Sequence, residues 1–79
     1  MNWQNYIVSN NEVLLGKPTI KGTRLSVEHI LSLFAQGWNE QQVLENYPRL
    51  TREDIKAVFA YLYECMQDGM FIGPNKKIA

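Results

Sequence analysis

A change of apolar period at Ser26 is the feature that most constrains the fold of this chain. Beyond it, apolar residues recur at the three- and four-residue spacing of an amphipathic helix, namely at Val27, Ile30, Leu31, Phe34 and Ala35. Ser26 itself is a favourable N-cap, and Gly37 is placed to end the helix. The sequence therefore predicts that a non-helical N-terminal part gives way to helices at this residue.

Two further helices are predicted, each bounded by a capping residue and a helix breaker. The second starts at Asn39, with Gln42 placed to complete a capping box, and stops before Pro48. The third starts after Thr51 and ends at Gly69. The predicted core comprises Val27, Ile30, Leu31, Phe34, Val43, Leu44, Leu50, Ile55, Val58, Phe59 and Leu62.

Residues 16–24, GKPTIKGTR, have the composition of a phosphate-binding loop. Pro18 follows Lys17 where such a loop needs Ser or Thr, and proline has no N–H to donate to a phosphate. We predict instead a small basic hairpin that turns at Gly22, where glycine supplies a positive φ. Its predicted strands are residues 19–20 and 23–25. Residues 6–8 are predicted as an earlier strand, and residues 13–15 as extended chain leading into the hairpin.

The composition predicts one small globular domain. The chain has 79 residues, and 8 basic groups balance 8 acidic ones. Net neutrality does not mark a nucleic-acid binder, but the basic groups gather in the hairpin, between Arg49 and Lys56, and in the tail. We divide the chain into strands and hairpin (1–25), a helical unit (26–69) and a tail (70–79). With no signal-peptide pattern and no apolar run of bilayer length, a cytoplasmic protein without membrane contact is predicted.

The residue types that catalysis and metal binding require are sparse. His29 is the only histidine, and Cys65 is the only cysteine. A zinc site would need more such ligands, and Cys65 lies at the apolar flank of the third predicted helix, where a buried inert thiol is expected. The sequence predicts no enzyme activity, no cofactor and no metal site.

The second helix, the YPRL link and the third helix together predict a helix-turn-helix unit. The candidate phosphate contacts lie at the start of its third helix, and they are Arg49, Thr51, Arg52 and Lys56. Glu53 and Glu64 are predicted on the exposed face of the same helix, beside Ala57 and Ala60. Small residues permit close approach to a DNA groove, whereas carboxylates repel phosphates. Binding to a protein partner without DNA therefore stays open as an alternative.

Two motifs, GKPTIKGTRLSVEHIL and NYPRLTREDIKAVFAY, give the chain a resemblance to the bacterial DUF433 family over about residues 6–63. The hairpin residues that match the family pattern are Gly16, Lys17, Pro18, Gly22, Thr23 and Arg24. Those that match its turn are Tyr47, Pro48, Leu50 and Thr51. The resemblance implies a homeodomain-like or winged helix-turn-helix fold. It also implies an antitoxin-like role with a PIN-like toxin as partner and operator DNA as ligand, and it brings no catalytic residues.

The combined expectation is a mainly α protein, in which a three-helix bundle is preceded by short β-strands and a hairpin. Its expected function is that of a non-enzymatic, antitoxin-type DNA-binding regulator; the alternative is a protein-interaction module. Apolar residues left outside the predicted core, such as Trp3, Tyr6 and Ile7, predict a homodimer built mainly by residues 3–25 with help from the C-terminal segment.

Overall fold

The computed structural model describes residues 1–69, and three helices are its largest elements. Helix α1 spans Val27–Ala35, α2 spans Glu40–Asn46 and α3 spans Arg52–Gln67. All three lie where the periodicity predicts them. The predicted tail at 70–79 lies outside the described residues. Within residues 1–69, no helix is both long and apolar enough to span a membrane.

The helix starts are fixed by the side chains that the sequence indicates. The Ser26 hydroxyl accepts a hydrogen bond from the His29 N–H at 2.9 Å. Asn39 and Gln42 form a reciprocal capping box at the start of α2. Thr51 caps α3 in the same way: its hydroxyl accepts from the Asp54 N–H at 3.1 Å, and the Asp54 carboxylate accepts from the Thr51 N–H at 3.0 Å. Local hydrogen bonds thus satisfy backbone donors that would otherwise lack partners in the first turns.

A two-stranded antiparallel sheet precedes the helices. Strand β1 (Ile7–Val8) pairs with β2 (Thr19–Ile20), with Ile7 opposite Ile20 and Val8 opposite Thr19. The predicted turn after β2 is present, because the Thr23 N–H donates to the Ile20 carbonyl at 3.0 Å and Gly22 has a φ of 81°.

The predicted strand at 23–25 is wrong. The Thr23 hydroxyl donates to the Ile20 carbonyl at 2.8 Å and accepts from the Leu25 N–H at 3.0 Å, and these bonds hold the backbone in a wider loop. The chain still returns alongside β2. The Ile20 N–H donates to the Leu25 carbonyl and the Val27 N–H donates to the Pro18 carbonyl, both at 2.9 Å. The hairpin-like reversal therefore exists, but the regular partner of β2 is β1.

Residues 13–16 form a second departure from the prediction, and we call them the leucine turn. Instead of continuing as extended chain, Leu14, Leu15 and Gly16 have φ values of 49°, 55° and 84°. The Gly16 N–H donates to the carbonyls of both Asn10 and Val13 at 3.2 Å. The left-handed conformation costs an L-residue roughly 1–2 kcal/mol. The turn therefore holds two leucines in a conformation that usually favours glycine or asparagine.

The core lies between the helices and the N-terminal segment. Its buried members are Ile7, Ile20, Val27, Ile30, Leu33, Val43, Leu50, Ile55, Ala57 and Val58. Two predictions on α3 are wrong: Phe59 is 46% exposed rather than buried, and Ala57 is fully buried rather than exposed. Leu31, Phe34 and Leu44 are only partly buried. The buried face of α3 therefore keeps Ile55 and Val58 of the predicted stripe, but it is rotated so that Ala57 is buried and Phe59 is not.

The N-terminal residues are the physical reason for this rotation. Trp3 lies in a short 3-10 turn, Trp3–Asn5, and its ring meets Tyr61 edge to face with centroids 4.8 Å apart. The Trp3 indole N–H also donates to the Glu64 carboxylate. Tyr6 packs against the same core. Trp3, Tyr6 and Ile7, which were predicted to contact a second copy, thus pack within their own chain.

We expect Gly22→Val to lower the free energy of unfolding by about 1–3 kcal/mol, because valine would be forced to a positive φ. A Cβ at this position meets no atom within 4 Å, so the loss would come from the backbone and not from a clash. Thermal or urea unfolding measures it. Gly22→Asn is the matched control and should cost less, since asparagine tolerates the left-handed region. An unchanged midpoint for the valine variant would contradict the turn assignment.

We expect Thr51→Ala to destabilise the protein by about 1 kcal/mol through loss of the α3 cap, while Thr51→Ser should retain most of the stability. Urea unfolding of both variants tests this role of the hydroxyl. If Thr51→Ala kept wild-type stability but lost DNA binding, the hydroxyl would act on the ligand and not on the helix.

Candidate nucleic-acid interface

The link between α2 and α3 is a tight turn anchored by one buried residue. The Tyr47 N–H still donates to the Val43 carbonyl, and the Leu50 N–H donates to the Tyr47 carbonyl, both at 2.9 Å. Leu50 is buried in the core. Because Leu50 points inward, the neighbouring Pro48 and Arg49 remain exposed at the surface. The turn therefore presents a guanidinium three residues before the first residue of α3.

Arg24 and Arg49 come together at this surface although they lie far apart in sequence. They line a groove of about 290 Å³ between the loop after β2 and the link between α2 and α3. We call it the arginine groove; its lining residues are Thr23, Arg24, Leu25, Asn46, Tyr47, Pro48 and Arg49. Both arginines also line an adjoining depression of about 520 Å³ beside Val8, Asn10 and Val13. No carboxylate contributes to the lining of either concavity.

The ion pairs of residues 1–69 leave this surface positive. Lys17 pairs with Glu28 at 2.9 Å, and Arg52 pairs with Glu40 at 3.7 Å. The hydrogen bond and charge of Lys17 lower the pKa of the Glu28 carboxyl below its ordinary value. In the same part of the chain, neither Arg24 nor Arg49 takes part in an ion pair. The two guanidinium groups therefore lie on one surface without an ion-pair partner among residues 1–69.

The four predicted nucleic-acid contacts do not form a single cluster. Arg49 lies in the arginine groove, whereas Thr51 uses its hydroxyl to cap α3. Arg52 and Lys56 line a separate groove of about 420 Å³ with Phe34, Ile55 and Phe59. Glu40 and Glu53 line that groove too, so its charge is mixed. The structure thus joins Arg49 to Arg24, which was assigned only to the hairpin motif, and separates it from Arg52 and Lys56.

Most hairpin residues of the motif have structural roles that local geometry explains. Gly16 has a positive φ, and a Cβ there would lie only 2.8 Å from the Asn11 side-chain oxygen. Gly22 has a positive φ, and Thr23 bridges the loop through its hydroxyl. Lys17 pairs with Glu28, and the Pro18 carbonyl accepts from Val27. Arg24 is the motif residue for which the described contacts show no such role.

The link between α2 and α3 likewise consists of residues with a structural role and one residue, Arg49, without such a role. Leu50 fills the core and Thr51 caps α3. The Tyr47 hydroxyl lies 3.0 Å from the His29 Nε2 atom, so it ties the turn to α1. Arg49 has no contact of this kind among residues 1–69. Because 25 positions separate Arg24 from Arg49, no local sequence signal indicates that they share a surface.

The remaining titratable groups show no arrangement typical of catalysis within the described chain. No three His, Cys, Asp or Glu side chains among residues 1–69 lie together as metal ligands would. Burial, and then the neighbouring Cys65, raise the pKa of Tyr61, which is the opposite of what activates a phenol as a base or nucleophile. Cys65 is itself buried. Tyr61 and Cys65 therefore do not form an activated pair at the surface.

Comparisons with known proteins agree with this architecture. A crystal structure of a DUF433 member protein from Anabaena variabilis ATCC 29413 matches the fold with a TM-score of 0.75 and 32% sequence identity. The match covers 82% of this chain and 64% of that one, so this chain spans less than two thirds of that protein. No curated protein matches this chain. The model of the family described as "Protein of unknown function (DUF433)" matches residues 7–62, and the chain therefore belongs to the DUF433 family.

Proposed function

We propose that this protein is a non-enzymatic helix-turn-helix regulator of the antitoxin type, which binds operator DNA through the surface around Arg24 and Arg49. In this proposal, α2, the link at 47–51 and α3 are the helix-turn-helix unit, within a homeodomain-like or winged fold. Operator DNA and a PIN-like toxin are the partners that the family resemblance implies. The proposal requires no metal, cofactor or catalytic residue.

The observation that carries the proposal is the convergence of Arg24 and Arg49 in a groove without carboxylates. Guanidinium groups donate in a planar fork that matches phosphate oxygens, and most hydrogen bonds between proteins and DNA reach the backbone. Asn46 lines the same groove, and its side-chain amide donates one hydrogen to the Gln42 carbonyl and keeps a second for a ligand. The Thr23 hydroxyl already donates to the Ile20 carbonyl, so the surface combines two cations and one amide donor, and a phosphate contact there would fix the orientation of α3.

Arg52 and Lys56 have a secondary role in this proposal. Both belong to α3 and are exposed, but Glu40 already pairs with Arg52, and Glu53 lies nearby in the same groove. These carboxylates reduce the net attraction of that groove for phosphates. Contacts from Arg52 and Lys56 would therefore add to DNA binding less than those from Arg24 and Arg49.

A second candidate function, protein binding without DNA, is favoured by a different observation. Phe59, Tyr63 and Met66 are 46%, 65% and 65% exposed, and their four- and three-residue spacing places them on one side of α3. We call them the α3 apolar face. Three large apolar side chains along one exposed helix are typical of helices that bind another protein. A toxin could use this face whether or not the protein also binds DNA.

We expect Arg24→Ala and Arg49→Ala each to weaken binding to a labelled duplex from the protein's own upstream region. Each should also lower the slope of log K against log salt by about one unit, because one phosphate contact is lost. Fluorescence anisotropy between 50 and 200 mM salt would measure both effects. Lys17→Ala is the matched control and should leave the slope unchanged, since Lys17 already pairs with Glu28.

Wild-type protein that fails to bind the duplex at the lowest salt, with and without the product of the adjacent gene, would contradict DNA binding. If the wild-type protein then co-purifies with that gene product, and if Tyr63→Ala abolishes the co-purification, the result would support the second candidate function. If the duplex binds but neither arginine variant changes the slope, the DNA surface lies elsewhere on the protein.

A further inference from the structure

The leucine turn combines strained backbone with an apolar side chain held in solvent. Leu14 and Leu15 both have positive φ, and Leu15 is 92% exposed. Glycine or asparagine would adopt this conformation more easily, and a polar residue would suit the exposure better. Neither the backbone conformation nor solvation accounts for leucine at position 15. A contact outside the described fold would account for it.

The turn is held in a fixed position by hydrogen bonds on both sides. Asn10 accepts from the N–H groups of Val13 and Gly16, and its side-chain oxygen accepts from the Glu12 N–H at 2.8 Å. Beyond the turn, the Lys17 N–H donates to the Leu14 carbonyl at 3.1 Å. The Lys17–Glu28 ion pair then ties this segment to the first turn of α1. Leu15 is therefore presented on an anchored turn beside α1.

An apolar groove lies at the same part of the surface. It has a volume of about 270 Å³, and its lining residues are Pro18, Val27, Glu28, Leu31, Tyr61 and Leu62. Pro18 follows the leucine turn by two residues, and Glu28 is the partner of Lys17, so the turn and the groove are neighbours. Glu28 is the one charged residue among those that line the groove. The groove could therefore accept an aliphatic side chain without burying an unpaired charge deep inside it.

We propose that this surface is a homodimer interface in which Leu15 of each copy inserts into the apolar groove of the other. In a two-fold dimer both copies use the same surface patch, and each contact occurs twice with the copies exchanged. That patch must therefore carry both the inserting side chain and the groove that receives it. The leucine turn and the groove provide both side by side on one chain. Lys17 and Glu28 already pair within each copy, so the rim of this patch brings no unpaired charge to the interface.

This arrangement replaces the dimer predicted from residues 3–25 as a whole. Trp3, Tyr6 and Ile7 pack within their own chain, so the large apolar side chains that stay exposed within residues 3–25 are Val8 and the two leucines of the leucine turn. The inference does not rest on DNA binding. A dimer would, however, carry two arginine grooves, as a two-fold operator requires.

Sedimentation equilibrium across a micromolar concentration series tests the proposal directly. We expect wild-type protein to reach twice the 9.2 kDa mass of one chain. Leu15→Asn should shift it to the monomer mass, because asparagine keeps the left-handed turn but removes the apolar side chain. Met66→Gln is the matched control; it removes an exposed apolar group from the α3 apolar face and should leave the dimer intact. Far-UV circular dichroism checks that each variant is folded.

Disulfide formation between copies tests the predicted contact itself. Leu15→Cys and Leu62→Cys, each in a Cys65→Ala background, should form a mixed disulfide when combined under oxidising conditions. Leu15→Cys combined with Tyr63→Cys in that background should not, because Tyr63 belongs to the α3 apolar face. A wild-type monomer at every concentration, a Leu15→Asn variant that remains dimeric, or cross-linking only through Tyr63→Cys would each overturn the proposal. A monomeric wild-type protein, together with a partner protein found to bind the leucine turn, would assign this surface to that partner.

Discussion

The contact between Trp3 and α3 is the interaction on which the rest of the structure depends. A sheet of two-residue strands has too few hydrogen bonds to be stable alone. The edge-to-face packing of Trp3 on Tyr61 and the indole hydrogen bond to Glu64 hold the N-terminal segment against α3. That packing positions β1, β1 positions β2, and the loop after β2 carries Arg24 to Arg49. The arginine groove, lined by residues 23–25 and 46–49, thus depends on a contact between the N-terminal segment and α3.

The parts of the fold that follow from local interactions could be predicted from the sequence. Caps at Ser26, Asn39 and Thr51 act within three residues, and the helices begin where these residues indicate. The orientation of α3 could not be predicted in this way. Its apolar positions are compatible with more than one buried face, and Trp3, some sixty positions away, selects the face that buries Ala57 and exposes Phe59. The left-handed leucines likewise have no local signal, because nothing in their residue type favours that conformation.

The candidate site also depends on contacts between distant residues, which the sequence does not indicate. Arg49 is identified by its place next to the predicted third helix, and Arg24 by the motif of the hairpin. Their shared groove exists only because the Thr23 hydroxyl widens the loop after β2 and because Leu50 fixes the link before α3. Once these structural roles are assigned, Arg24 and Arg49 are exposed side chains of the two motif segments to which the described contacts give no structural role, as is Lys21. The hairpin motif thus combines residues that form a turn with Arg24, which this turn holds at the surface.

The contact between Trp3 and Tyr61 also bears on the order of folding, because it joins residues that are far apart in sequence. Since the native position of β1 depends on contacts with α3, we expect the sheet to close only after α3 has formed. During synthesis Trp3 therefore lacks its native contact until Tyr61 has been made and α3 has formed. In that interval Trp3, Tyr6 and Ile7 expose apolar surface that the native fold covers, and this is the stage at which the nascent chain is open to aggregation or to capture by a chaperone.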